Sequence, residues 1–348
     1  MKEGKAADGQ PIRKGSNRAM KTWMKVSLAA ALAAAALVSG GCGSDDGAKG
    51  NVSGKMKIGV VQIVQHGSLD EANRGFVDAL KERGYGPDKV DIDQENAQGD
   101  QSNLKTIVSR FKSEKPSLIC AIATPSAQAA ANEIKDIPIV GTAITDYTTA
   151  KLVKSDEAPG GNLTGVSDLA SMDAQMELAG KLVPQAKNVG LIYCSSEVNS
   201  EVQANMMKDY CKKHDLHVEE RTVNNVNDIQ QVAESLLGKV DYIYVPTDNT
   251  LASSIPTLMK ITDANKIPVI VGADIMAKDG ALAALSVDYY KLGKQTGELA
   301  ADILDGKVKP ETAAIQHQKE YTIVINKKDA EILGIQIPED IAKQAEMV

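Results

Sequence analysis

The sequence predicts an α/β protein of two similar lobes, each a parallel sheet flanked by helices, with a ligand cleft between them. Three observations predict it. Short apolar runs alternate with amphipathic stretches from Lys57 onward, this order restarts at Asn188, and polar clusters recur where the apolar runs end. The bulk numbers agree, since 348 residues leave room for two domains and 43% hydrophobic with 24% charged residues is ordinary for a globular chain. The formal net charge of −7 and 3% aromatics exclude the basic, ring-bearing face that nucleic-acid binding needs. Four Cys in so long a chain exclude a disulfide scaffold, and neither metal nor cofactor is expected.

Residues 1–41 read as a lipoprotein signal peptide. Residues 1–25 hold seven Lys/Arg and two acids, and Val26 to Val38 is an uncharged apolar run. Thirteen residues are too few for a bilayer span of about 20, so the order basic, then apolar, then small is that of an export signal. The small residues Ser39-Gly40-Gly41 before Cys42 resemble a lipobox, in which Cys42 is lipidated and becomes the new N-terminus. The first 19 residues are long and polar for such a signal, so Met20 is a second candidate start. Residues 42–55 are Gly-rich and polar and are expected to form a flexible tether, held outside the cytoplasm by a lipid anchor in the bacterial cell membrane.

The body then reads strand by strand. Lys57 to Ile63 is an apolar run suited to a buried parallel strand, and Leu69 to Arg83 places Ala72, Phe76, Val77 and Leu80 on one helical face. Val90 to Asp93 is a strand, Asp100 to Lys112 a helix, Leu118 to Ile122 a strand, Ser126 to Ile134 a helix and Ile137 to Gly141 a strand. In the second half, Asn188 to Tyr193 echoes Lys57 to Gln62, with a helix around Asn205 to Cys211. Val240 to Thr247 echoes Pro116 to Thr124, and Lys266 to Gly272 echoes Asp136 to Gly141. Cys120 is expected in the core, and the sequence leaves Cys194 and Cys211 either paired or free.

Ligands of open α/β sheets bind beyond the carboxyl ends of the strands. The candidates there are Gln65, His66 and Ser68 after the first strand, Thr124, Pro125 and Ser126 after the third, and Thr145 with Asp146 after the fourth. The second half offers Ser196, Glu197 and Asn199, then Thr247, Asp248 and Asn249, then Asp274. Hydroxyls and free backbone N–H groups at a helix N-terminus suit a carboxylate, and a desolvated Asp suits an ammonium. Each of these residues taken singly is an ordinary helix cap; their recurrence in both halves is what points to a site. Asp248 has no charged counterpart in the first half, where the repeat places Pro125, so it is the expected ammonium partner, with Asp274 next.

These motifs together resemble the substrate-binding lipoproteins of bacterial ABC importers of the tryptophan/tyrosine-binding type. The resemblance spans about 56–335 and rests on His66 to Asp70, Ala123 to Gln128, Thr145-Asp146, Gly161 to Asp168, Tyr244 to Asn249, Asp279 to Ala283 and Asp288 to Gly293. It implies a type I periplasmic-binding-protein-like fold with three crossovers, the first lobe being 56–167 plus 288–306 and the second 168–287 plus 307–335. It also implies that Ser167 and Asp168 join the ligand site. The implied ligand is a free amino acid, aromatic or large and apolar, with Tyr147 and Tyr193 as stacking partners. Partners would be a permease and an ATPase, with the receptor itself a monomer. The family often has Pro at the position of Gly67 and Pro-Val in place of Tyr147-Thr148, both near the expected cleft.

Other classes fit less well. No Gly-x-Ser-x-Gly elbow, Walker loop or Gly-x-Gly-x-x-Gly stretch supports an enzyme, and His66 reads as a hydrogen-bonding group rather than a base. The alternatives that remain are a ligand-binding sensor module and an importer receptor for a different small solute. Tyr289 and Tyr290 are expected to pack the C-terminal helix rather than touch ligand.

Overall fold

The computed structural model describes residues 54–348, so the expected signal peptide and Cys42 lie outside the described residues. The first lobe begins with β1 (Met56–Gln62), α1 (Gly67–Glu82), β2 (Val90–Asn96), α2 (Gln101–Glu114) and β3 (Leu118–Ile122), then α3 (Thr124–Glu133), β4 (Ile139–Ile144) and β5 (Leu163–Ser167). The second lobe follows with α4 (Met172–Leu182), β6 (Asn188–Cys194), α5 (Val198–Lys213), β7 (His217–Val223), α6 (Ile229–Glu234) and β8 (Tyr242–Val245). It continues through α7 (Asn249–Ala252), α8 (Ile255–Ala264), β9 (Val269–Val271), α9 (Asp274–Lys278) and β10 (Ala283–Ser286). The chain returns to the first lobe with α10 (Tyr289–Leu304) and β11 (Gln316–His317), then ends in the second with β12 (Thr322–Ile325), α11 (Lys327–Leu333), α12 (Glu339–Ala342) and β13 (Glu346–Met347).

Two sheets result, of orders β11-β5-β4-β3-β1-β2 and β13-β12-β10-β9-β8-β6-β7. All pairs are parallel except β10 with β12. Strands β3, β4 and β5 are buried along their whole length, as expected where helices cover both faces of a sheet. The edge strands β2 and β7 carry polar side chains toward solvent. That polarity is why β7, His-Val-Glu-Glu-Arg-Thr-Val, left little apolar pattern to read.

The lobe boundaries differ from expectation at the last crossover. Residues 307–335 do not all join the second lobe: β11 pairs with β5, Thr164 Oγ1 donates to the Ala313 carbonyl, and Gly160 N donates to the Glu311 carbonyl. The unpaired edge of β5 is what holds this segment in the first lobe. The second lobe also runs beyond 335 to the C-terminus, where β13 pairs with β12. Cys120, Cys194 and Cys211 are all buried free thiols, so the Cys194–Cys211 pair does not form.

Helix α10 returns to the first lobe by packing its backbone on α1. A Cβ on Gly293 would fall on the Ala72 carbonyl, one on Gly75 on the Tyr290 carbonyl, and one on Gly297 on the Phe76 carbonyl. Gly293→Ala gains about 0.5–1 kcal/mol of helix propensity, but overpacking a close contact costs about 1–3 kcal/mol or more. A net loss of melting temperature is therefore expected in a thermal denaturation, and an unchanged value would mean the two helices separate without strain.

Candidate functional site

The carboxyl ends of the two sheets face each other, and hydrogen bonds join them. His66 Nε2 lies 3.3 Å from Asn249 Oδ1, Ser68 Oγ donates to Asp274 Oδ1 at 3.4 Å, and Thr145 Oγ1 lies 3.4 Å from Thr247 Oγ1. Gln203 of α5 donates to both threonine hydroxyls. Gly67 leaves room for Ile275 from the opposite lobe, whose side chain would lie 2.5 Å from an added Cβ. Between the lobes is a small cavity, with about 10 Å3 of free space. One wall carries His66, Thr145, Asp168 and Tyr289, and the other Asn199, Thr247, Asp248 and Asn249.

Asp168 follows β5 on the first crossover and is 4% exposed. Its oxygens accept from two hydroxyls only, Thr145 Oγ1 at 3.1 Å and Tyr289 OH at 3.1 Å. Burial pushes its carboxyl up to about 6, against the two hydrogen bonds that favour the anion. Burial and the Asp168 charge hold the Tyr289 hydroxyl well above its ordinary value, so it stays a donor. Tyr289 opens α10 and supplies the aromatic ring of the cavity wall, contrary to the expectation that it only packs a helix. Tyr290 does pack, donating to Asp78 with Arg74 over its ring.

Asp248 is engaged differently from the ammonium role expected of it. It accepts from Cys194 N at 2.6 Å, Ser200 Oγ at 2.7 Å and, as the cap of α7, Leu251 N at 2.8 Å. Burial first, and then the neighbouring Glu197 charge, push this carboxyl up. Glu197 is spent in the same loop, accepting from Thr250 N and Oγ1, from Asn249 N and Nδ2, and from Asn199 Nδ2. These carboxylates tie the strand ends of the second lobe together. What they leave open is Asn199 Oδ1, which is buried without a partner while Asn199 Nδ2 donates to Glu197 and to the Thr247 carbonyl.

The first lobe has its own unpartnered groups. His66 Nδ1, Thr124 Oγ1, Ser126 Oγ and Thr142 Oγ1 are buried without hydrogen bonds. Burial lowers the His66 imidazole below its ordinary value, so it is neutral at pH 7. Thr124 and Ser126 lie in the first turn of α3, with Pro125 between them. Helix α3 begins two residues earlier than predicted because Ala123 caps it at φ 77° and ψ 155°, a region that L-residues rarely adopt. Ala143, in the cavity wall, is also left-handed at φ 54°, where β4 slips its register against β5. Backbone strain thus falls on two strand ends of the first lobe.

Several other expected site residues lie elsewhere. Tyr147 is 1% exposed in the first-lobe core, its hydroxyl donating to the Gly141 and Val166 carbonyls, so it is no stacking partner. Tyr193 packs in the second-lobe core and donates to Glu220. Asp274 pairs with Lys278 one turn on, at 2.7 Å, on a separate groove. Gln65 and Ser196 are exposed, Asp146 caps its own turn at Thr149, and Ser167 Oγ donates to the Thr145 carbonyl, joining β5 to β4. The residues missed by sequence reasoning are Tyr289 and Gln203; the one available signal was Tyr289 following the helix-capping Asp288.

Residues 57–348 match the family described as ABC transporter substrate binding protein. The chain belongs to this family. A tyrosine-binding protein of Clostridioides difficile (strain R20291) is 43% identical to this substrate-binding protein over 304 residues, covering 85% of this chain and 88% of that one. The structure of an ABC domain from Streptococcus pneumonia in complex with L-Trp has a TM-score of 0.82 at 41% identity, covering 85% of this chain and 100% of that one. The ligand-free, open structure of a substrate binding protein with adhesive properties from Clostridium difficile has a TM-score of 0.66 at 42% identity, covering 84% and 99%. At nearly equal identity, the better fit to the L-Trp complex agrees with the hydrogen bonds that close the lobes here. The fold is type I periplasmic-binding-protein-like. Substrate-binding proteins of ABC transporters work outside the cytoplasm, and no helix among the described residues is long and apolar enough to cross a membrane.

The Asp248 geometry carries a prediction. Asp248→Asn must turn an NH2 group toward a backbone N–H or lose that acceptor, which costs about 1–3 kcal/mol for a buried group. The melting temperature of the ligand-free protein is expected to fall. An unchanged melting temperature together with lost ligand affinity would restore Asp248 as the ammonium partner.

Proposed function

We propose that this substrate-binding protein captures a free amino acid, aromatic or large and apolar, between its two lobes and delivers it to a membrane permease driven by an ATPase. The observation that carries the reading is Asp168: a buried carboxyl with no cationic partner, beside the Tyr289 ring, in the wall of the cavity between the lobes. The α-ammonium is assigned to Asp168 with Asn199 Oδ1, the side chain to the face of Tyr289, and the α-carboxylate to Thr124, Ser126 and the N-terminus of α3. The names of the relatives support the ligand class. The receptor is read as a monomer that binds without transforming its ligand, a role that calls for no cofactor; among the described residues no cluster could hold a metal ion.

A charge contact broken from one side of a buried pair costs about 3–5 kcal/mol. Asp168→Asn is therefore expected to weaken L-tyrosine or L-tryptophan binding in calorimetry by about a hundredfold or more. Only the ionised carboxyl holds an ammonium, and burial raises this one, so wild-type affinity falls as pH drops from about 6 toward 4, whereas Asp168→Asn flattens that dependence. Tight binding of a sugar, with no amino acid bound, would overturn the reading.

The anchor is proposed at Cys42, after cleavage of residues 1–41. Cys42→Ser is expected to move the protein from the membrane to the soluble exported fraction on cell fractionation. Retention at the membrane at the wild-type level would remove the lipid anchor from the account.

A further inference from the structure

We infer that Asp168 also acts as a charge gate: it holds the empty receptor open and makes closure depend on a ligand that brings an ammonium group. The inference rests on the ligand reading above and extends it from affinity to conformation and to the rejection of amine-free acids.

The cavity contains the argument. Asp168 on one wall and Asp248 on the other put two carboxyl groups around one closed space, with Glu197 buried behind Asp248. No Lys or Arg lines that space, and its one basic side chain, His66, is neutral through burial. The two sides are not equivalent. Asp248 and Glu197 are each held by three or more donors of their own lobe, so their bonds do not depend on the opposite lobe. Asp168 has only the Thr145 and Tyr289 hydroxyls, and the second lobe supplies the wall that encloses it. Closure without ligand therefore removes water from a carboxylate that gains no new partner. An ammonium in the cavity replaces that water with a partner of opposite charge. A ligand shifts a two-state equilibrium only by its differential interaction with the two states, and here that difference is concentrated on one charge.

Small-angle X-ray scattering of the mature protein tests this. Empty wild type is expected to have a larger radius of gyration than its L-tyrosine complex. Empty Asp168→Asn is expected to shift toward the radius of the complex, because its amide can be buried without charge. In wild type, 3-(4-hydroxyphenyl)propionate, which is tyrosine without its amine, is expected to leave the radius at the empty value even at millimolar concentration. The same acid should compact Asp168→Asn. Empty Asp168→Asn as expanded as empty wild type overturns the gate while leaving amino-acid binding intact, and so does wild type compacted equally by the amine-free acid and by L-tyrosine. If L-tyrosine fails to bind but empty Asp168→Asn compacts, the gate stands and the ligand assignment falls. Should Asp168→Asn fold poorly, Asp168→Ser and the wild-type comparison of the two acids decide the question.

Discussion

The backbone contact between α10 and α1 is the constraint from which the site follows. Glycines at 75, 293 and 297 let the two helices meet carbonyl to Cα, with no side chain between them. The chain that has just left β10 in the second lobe is thereby drawn back onto the first. The first residue of α10, Tyr289, is carried to the first crossover, where its hydroxyl reaches Asp168. Two crossovers meet at one hydrogen bond, and the ring beside that bond forms part of the cleft wall. The third crossover is tied in by Gln318, which exchanges hydrogen bonds with the backbone of Asp288.

Around that hinge the two lobes divide the chemistry unequally. The second lobe spends its carboxylates on itself, with Glu197 and Asp248 locking α7 to the end of β6, which makes its face of the cleft rigid. The first lobe leaves hydroxyls unbonded and holds two alanines in left-handed backbone conformations. Unbonded buried groups and strained backbone are costly in an empty protein. His66 and Asn199, each with one such unbonded atom, line the cavity from opposite lobes. A neutral His66 and a buried Asp168 stand on the same wall of the cleft.

Much of this was legible along the chain. Apolar runs marked β1, β3, β4, β6, β8 and β9 because strands covered on both faces admit few polar side chains. The restart at Asn188 showed two lobes, and the polar strand ends showed where a ligand could sit. Thr124, Ser126, His66 and Asn199 stood among those ends and are among the groups left with unbonded atoms. Strand β7 and the short helices were harder to see, since a polar edge strand or a helix of four or five residues has little periodicity of its own.

What the sequence by itself determined is the class of fold, its duplication and the strand ends that bear polar groups, because each depends on local pattern. Only the tertiary structure decided which carboxylate is spare. Asp248 and Asp168 look alike as residues after a strand. The first meets three donors from its own lobe and the second meets two hydroxyls across a crossover, and that difference depends on contacts between residues far apart in sequence, 48 positions for Ser200 with Asp248 and 121 for Asp168 with Tyr289. Tyr147 and Tyr289 were likewise indistinguishable by type. The ring of Tyr147 fills space left by Gly141 and Gly165, while Tyr289 is turned to the cleft by the packing of the helix it begins.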